Sequence, residues 1–426
     1  MAISSLTVEQ TGNRRNASIS RRLGGLPVSA FLFYVALAAG FLVPLIRDFG
    51  GSYTVASEWE TTRFAFHTSA GALATFLDYL QQICLLILLV KSIVFNRNSH
   101  PLLSILGIAG FGIYGIMEVL IQGTSILDLL FGSVPVTVFL IPLFILVADE
   151  QDLSGRLVRL APHAALIALV LGFGSIVHFH ILCGWGSTVG WCPARDYFAL
   201  GISYLWITAA FTSEQQCGYL KKVLLCAGSI LFAFLIATRS WVIQSVLILL
   251  YIAVSSPSMS KRFRRVLYTI VAVIGAVLVA SMVFPDALST FADRIGEDSR
   301  SGQYDTFFSQ VDPLSLVLGN GSTAGYVYGT QTNYLFFDNQ FMFLMFHYGI
   351  IPALILAFVL IRTIVSSKTV NGGSCRFVAV MYLAALLGLS NYYSYALNPG
   401  IASLFMAFGM SINQREMQKP DQTAIG

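Results

Sequence analysis

The stretch VLLCAGSILFAFLIATRSWVIQSVLILLYIAV, residues 223–254, decides the fold. It carries one formal charge, Arg239, in 32 residues. As a single helix it would extend about 48 Å at 1.5 Å per residue. That is too long for one crossing of a hydrocarbon layer about 30 Å thick with ordinary tilt. The run is therefore expected to be two spans joined by a tight turn at Ala237–Trp241. An arginine at a bilayer centre costs roughly 2.5–3.5 kcal/mol on insertion scales. A turn at Arg239 moves that charge to the membrane–water boundary.

The whole chain has the same character. Its 426 residues are 56% hydrophobic and 11% charged, with a mean hydropathy of +0.74. A soluble domain carries about 25% charged residues. The composition excludes an ordinary soluble domain and reads as an all-α integral membrane protein, one polytopic domain over 1–426. Spans of about 20 apolar residues are expected at 27–46, 71–95, 102–122, 126–148, 160–183, 196–213, 223–238, 240–256, 267–284, 339–361, 377–392 and 397–413, twelve in all.

Charge bias orients them. Arg14, Arg15, Arg21 and Arg22 precede the first span, so the positive-inside rule places the N-terminus in the cytoplasm. With strict alternation, 19 of the 25 basic residues are cytoplasmic and both termini are inside. The six outside are Arg47, Arg63, Arg195, Arg239, Arg294 and Arg300, all arginines. Arginine presents a planar fork suited to phosphate and carboxylate. SRRLGG, 20–25, faintly resembles a twin-arginine signal, but the long apolar stretch after it reads as a first transmembrane helix.

Two outside segments are long. Residues 47–70 carry Arg47, Asp48, Glu58, Glu60, Arg63 and His67. Residues 285–338 form a large loop between spans nine and ten, expected to be structured with short helices. Its aromatic residues, Tyr304, Phe307, Phe308, Tyr326, Tyr328, Tyr334, Phe336 and Phe337, argue against disorder. They suit an interface with lipid or stacking on sugar rings equally well. GIAGFGIYG, 107–115, gives one span a small-residue face for close helix packing.

No Walker loop, paired-cysteine zinc pattern or HExxH is present. His178 and His180 are two residues apart and do not share a helix face, so no metal site is expected there. Cys183 and Cys192 bracket GWGSTVGW, where a disulfide and two free thiols are both open readings. Asp78 and Glu118 lie inside spans, where a polar partner or a cavity is expected. The short cytoplasmic loops leave no room for a nucleotide-binding domain. Any active site belongs on the outer side, on a substrate already activated.

Several pieces together resemble the bacterial O-antigen polymerase and O-antigen ligase superfamily. They are ATRSW at 237–241, EDSRSGQYDTF at 297–307, DPLSLVLGNG at 312–321, DNQFMFLMFHYGI at 338–350 and LNPGIASLFMAFGM at 397–410. They cover about the C-terminal half; the N-terminal half matches only in hydropathy. The resemblance implies a multi-helix enzyme on the outer face of the inner membrane, with a large periplasmic loop, that uses polyprenyl-diphosphate-linked glycans and needs no nucleotide. It implies no cofactor, a lipid-linked oligosaccharide partner, a chain-length regulator and no nucleic acid.

A polymerase would transfer the growing glycan from its lipid diphosphate onto the next lipid-linked repeat unit. Arginines that grip the diphosphate more strongly as charge develops would lower the barrier. By this resemblance Arg239 is expected on the diphosphate, with Arg300 or Arg294 assisting. Asp338 is expected to position or deprotonate the acceptor, with Asn339 and His347 as further substrate-binding candidates. The chain departs from the family pattern twice. Gln303 stands where many relatives show Arg, and Asp338 where ligases carry His, which favours the polymerase over the ligase. A polytopic transporter or flippase is the remaining alternative, although no symmetry between the two halves is visible in the sequence.

Overall fold

Among the described residues, a helix runs through most of each of the twelve predicted spans in the computed structural model, and two of the spans are broken. The structure describes residues 22–23, 26–56, 63–68, 71–95, 101–132, 134–149, 151–184, 188–189, 193–236, 238–255, 259–283, 299–328, 331–335, 337–366, 369–370, 373–389 and 397–417. The first helices are α1 (Val28–Gly50), α2 (Gly71–Phe95), α3 (Pro101–Met117) and the short α4 (Ile126–Phe131). After them come α5 (Gln151–Cys183), α6 (Ala194–Phe211), α7 (Tyr219–Leu235), α8 (Arg239–Val254) and α9 (Met259–Val283).

Among the described residues, four helices are long and apolar enough to cross a membrane: Val28–Gly50, Gly71–Val94, Leu102–Leu120 and Asp152–Cys183. Several shorter apolar helices accompany them, including Arg239–Val254 and Pro399–Ile412. This is the make-up of a multi-pass membrane protein. Large apolar side chains point away from the core, as a bilayer would require: Ile105, Ile113 and Ile116 on α3, and Val271, Leu278 and Met282 on α9.

The first correction concerns 126–148. It is not one helix. α4 stops at Phe131, and the chain resumes as a tight 3-10 helix, Val136–Asp149. Pro135 and Pro142 lie in this region and cannot donate backbone hydrogen bonds. At about 2.0 Å per residue a 3-10 helix of 14 residues reaches about 28 Å, nearly the hydrocarbon thickness. Residues 134–148 are all buried, consistent with an element apolar on every side. Gly107 on α3 lets this element approach, because a Cβ there would meet Leu143 at 2.5 Å. The small-residue face read from the sequence thus packs on the central 3-10 helix.

The second correction concerns 339–361. It divides into α12 (Gln340–Tyr348) and α13 (Ile350–Ser366) around Gly349. Between α9 and α12 the large loop folds into α10 (Ser299–Gln310), α11 (Pro313–Leu318) and a hairpin, Tyr326–Tyr328 with Gln331–Tyr334. α14 (Cys375–Ala384) runs into a π turn, Ala385–Leu389, and α15 (Pro399–Met417) closes the chain against the 3-10 helix and α6.

Connections group at two ends. At one end β1 (Gly51–Ala56) pairs antiparallel with β2 (Arg63–Thr68), and β2 pairs parallel with β3 (Thr188–Val189). The α1–α2 and α5–α6 connections therefore share one sheet. At the opposite end Lys222 Nζ donates to the Thr212 carbonyl at 2.8 Å, and Arg265 forms an ion pair with Glu214.

Candidate functional site

The turn at Arg239 forms as its length requires. α7 ends at Leu235, and α8 begins at Arg239 itself. Thr238 is extended, its N–H donates to Ala233 O at 3.0 Å, and its hydroxyl donates to Ile236 O at 3.1 Å. These bonds satisfy carbonyls left over at the end of α7. Deeper in the hairpin Ser229 and Ser245 share a hydroxyl hydrogen bond at 2.8 Å. Arg239 is half-buried in the first turn of α8.

Ring stacking shows what lies beside it. Trp241 stacks on Phe198 with centroids 4.3 Å apart, so Arg239 sits at the end of the bundle where α6 begins. Tyr251, three turns further along α8, stacks on Phe377 at the start of α14. Because the π turn that follows α14 also packs against α8, which ends soon after Tyr251, the two helices run antiparallel. Tyr251 lies about 18 Å along α8 from Arg239, and Leu387 about 15 Å beyond Phe377. Leu387 is therefore nearly level with Arg239. The π turn that contains it packs against both α8 and α12.

The large loop comes to the same place. Tyr304 on α10 donates from its hydroxyl to Leu387 O at 3.5 Å and accepts from Asn339 Nδ2 at 3.0 Å. Gln303, 6% exposed, accepts from the backbone N–H of Asp338 at 2.9 Å. Asn339 caps α12, its Oδ1 accepting from the N–H groups of Phe341 and Met342 at 3.0 and 3.2 Å. Asp338 and Asn339 are thereby fixed by α10 and by the helix they open. α10 includes position 300, one turn before Gln303. Arg294 and the side chain of Arg300 lie outside the described residues.

His347 belongs to a different cluster. It is fully buried, with Nδ1 2.9 Å from Gly321 O and Nε2 2.8 Å from Leu335 O. Carbonyls only accept, so a neutral ring can donate to one of them and an imidazolium to both. The Glu118 carboxylate lies in the same cluster, accepting from the N–H and the hydroxyl of Ser322, each at 2.8 Å. Glu118 opens a π turn, Glu118–Gln122, that extends α3. Two helix breaks meet here. Tyr348 donates to Val134 O, joining the α12–α13 break to the α4–3-10 break. Asn320 N donates to Phe346 O at 2.8 Å, Gly321 N donates to His347 O at 3.0 Å, and the Tyr114 hydroxyl donates to His347 O. The carbonyls freed by the break at Gly349 are thus satisfied by the GNG turn.

A polar cluster that the sequence did not assemble lies between α1, α2 and α6. Arg47 is 4.0 Å from Asp78 and 3.7 Å from Asp196. The ion-pair partner expected for Asp78 is therefore Arg47. Deeper in, Asp48 Oδ1 is 3.4 Å from His178 Nδ1, whereas His180 Nδ1 lies 3.4 Å from Gly184 O. The two histidines diverge. Cys183 ends α5, and Cys192 lies outside the described residues. Arg47 and Asp196 were visible as single charges at span ends, but only the packing of α1 on α6 joins them.

Comparison of the chain with protein-family models, with curated proteins and with solved structures finds no match.

Proposed function

We propose that this chain is a glycan polymerase of the bacterial inner membrane. It transfers a growing polysaccharide from polyprenyl diphosphate onto the next lipid-linked repeat unit at the outer face. The observation that carries this reading is the bridge Tyr304 makes between Asn339 and the π turn Ala385–Leu389, an element that also packs against α8, the helix Arg239 opens. In this reading Arg239 supplies a cation suited to a diphosphate and Asp338 a carboxylate suited to an acceptor hydroxyl. The resemblance of the C-terminal half to O-antigen polymerases supports the same reading, and the charge bias supports an outward orientation of this end.

In this mechanism Arg239 holds the diphosphate and stabilises the charge that grows as the glycosyl–oxygen bond breaks. Asp338 accepts the proton of the attacking hydroxyl. Gln303 and Tyr304 act through Asp338 and Asn339 as positioning residues. A ligase would use the same site with a lipid-core acceptor.

A transporter is the second reading, favoured by one observation. Two interrupted helices touch at their breaks through Tyr348 and Val134, a feature that transporters use to build substrate sites. Deletion of the gene followed by glycan-length analysis separates the readings. A polymerase mutant displays single repeat units; a transporter mutant loses flux, with no change in the length of the chains that remain. A reporter inserted within 300–335 and active only on the outside supports the orientation, and a cytoplasmic signal contradicts it.

A further inference from the structure

We propose that the cavity walled by Arg47, Asp78, Gln81, Asp196 and Asn398 binds one sugar ring of the glycan. The cavity measures about 220 Å³. That is room for roughly seven waters at about 30 Å³ each. It is smaller than the roughly 300–1,000 Å³ of sites for drug-sized ligands, a size suited to one ring.

The walls ask for a hydroxylated ligand. Gln81 is 6% exposed, and its Oε1 has no hydrogen-bond partner among the described residues. The amide orientation is fixed by its neighbour: Nε2 donates to Asp78 Oδ1, and a carboxylate can only accept. Oε1 is therefore an unmet acceptor; it lies beside Gly40, and both residues line the cavity. Asp196 Oδ2 is a second buried acceptor without a hydrogen bond among the described residues. Its nearest cation, Arg47, is 3.7 Å away, beyond hydrogen-bond length. Two unmet acceptors call for donors from a ligand, since buried polar atoms are otherwise costly.

A metal cation is the poorer candidate, because Arg47 already lies within 4.0 Å of both carboxylates. Hydroxyl groups fit better. They donate to Gln81 and Asp196 and accept from the Arg47 guanidinium, while Pro44 and Pro399 offer apolar surface to C–H groups. Arg47, Asp78 and Asp196 keep 23–29% of their side-chain surface exposed, so the cavity is open to a ligand. Its α6 wall begins in the first turn of that helix, the same end of α6 at which Phe198 stacks on Trp241. The inference deepens the glycan reading and rests on it for choosing a sugar over another polyol.

The test uses the full chain in lipid nanodiscs and saturation-transfer NMR with the methyl glycosides of glucose, galactose, mannose and N-acetylglucosamine. At least one glycoside is expected to give a signal in the wild type and in Gly112→Ala, a control where an added Cβ would meet nothing within 4 Å. That signal should fall about fivefold or more in Gln81→Leu and Asp196→Asn, the loss of about one hydrogen bond. Melting temperature reports whether each variant folds; if Gln81→Leu does not, the near-isosteric Asp196→Asn decides. No signal in the wild type, or an unchanged signal in the folded variants, overturns the proposal. A melting-temperature rise with sodium but not choline chloride, lost in Asp196→Asn, also overturns it in favour of a cation site. The polymerase reading fails separately: sugar binding without chain growth sinks polymerisation alone, and chain growth without binding here sinks this cavity alone.

Discussion

Trp241 lies against Phe198 with ring planes 18° apart and centroids 4.3 Å apart, two residues beyond Arg239. Both rings are at least 96% buried. The stack holds the first turn of α8 against α6 and so sets where the guanidinium begins. Replacing a buried Trp by Ala costs about 3–5 kcal/mol. Trp241→Ala is expected to lower the melting temperature and shorten the glycans, and Trp241→Phe to restore much of their length. Phe408→Ala, on α15, supplies a comparison in the buried core. Equal glycan shortening in the two Ala variants at matched melting temperature would contradict a positioning role for Trp241.

Gln303 holds the backbone of Asp338. Gln303→Met keeps the length of the side chain but removes the acceptor, leaving a partly buried N–H unpaired at a cost of about 1–3 kcal/mol. Glycan ladders resolved on a gel should shorten while the amount of protein in the membrane holds. Tyr304→Phe removes only the hydroxyl that bridges Leu387 and Asn339, and its effect should be smaller. Full-length ladders in Gln303→Met would remove Gln303 from the site.

Gly349 and Gly319 press against each other's segments. Gly349 has φ +77, and a Cβ there would lie 2.0 Å from Val317 O. Gly319 has φ +83, and a Cβ there would lie 2.4 Å from His347 O. Such backbone costs a non-glycine residue of order 1–3 kcal/mol before any clash. Gly349→Ala should reduce insertion yield and melting temperature more than Gly112→Ala, whose Cβ would meet nothing within 4 Å. Equal yields and melting temperatures would contradict the close contact between the GNG turn and the helix break.

Glu118 and Ser322 should behave as a coupled pair. Glu118→Ala leaves the buried Ser322 N–H and hydroxyl without their acceptor, whereas Ser322→Ala removes one donor from Oε2 and leaves Glu118 the Ser322 N–H and the Thr124 hydroxyl. Thermal unfolding of Glu118→Ala, Ser322→Ala and the double variant should show non-additivity of about 0.5–3 kcal/mol. Simple additivity would mean that the late loop and α3 are not tied through this bond.

Much of the fold was legible because apolar run length is a direct physical signal. Residues 223–254 had to break, and the structure breaks them between Leu235 and Arg239. The breaks at Gly132–Pro135 and Gly349 were not read, although Gly and Pro mark them, because both lie within runs that otherwise remain apolar. The carbonyls freed at Gly349 are satisfied by Asn320 and Gly321, which no local pattern could announce. The candidate site was legible in part. Asp338 and Asn339 open a helix, a role their residue types suit. Gln303, noted only as a departure from the family pattern, proved to hold Asp338. Arg47, Asp78 and Asp196 come from three separate spans, and their meeting depends on tertiary packing alone.

The most direct measurement of the central claim is chain growth in a reconstituted system. Wild type and Arg239→Ala, each shown folded by its melting temperature, are incubated in liposomes with polyprenyl-diphosphate-linked repeat units from the source cell. The products are released and sized. The wild type is expected to build a ladder, and Arg239→Ala to leave single repeat units. No ladder with the wild type, or an undiminished ladder with Arg239→Ala, would contradict the account.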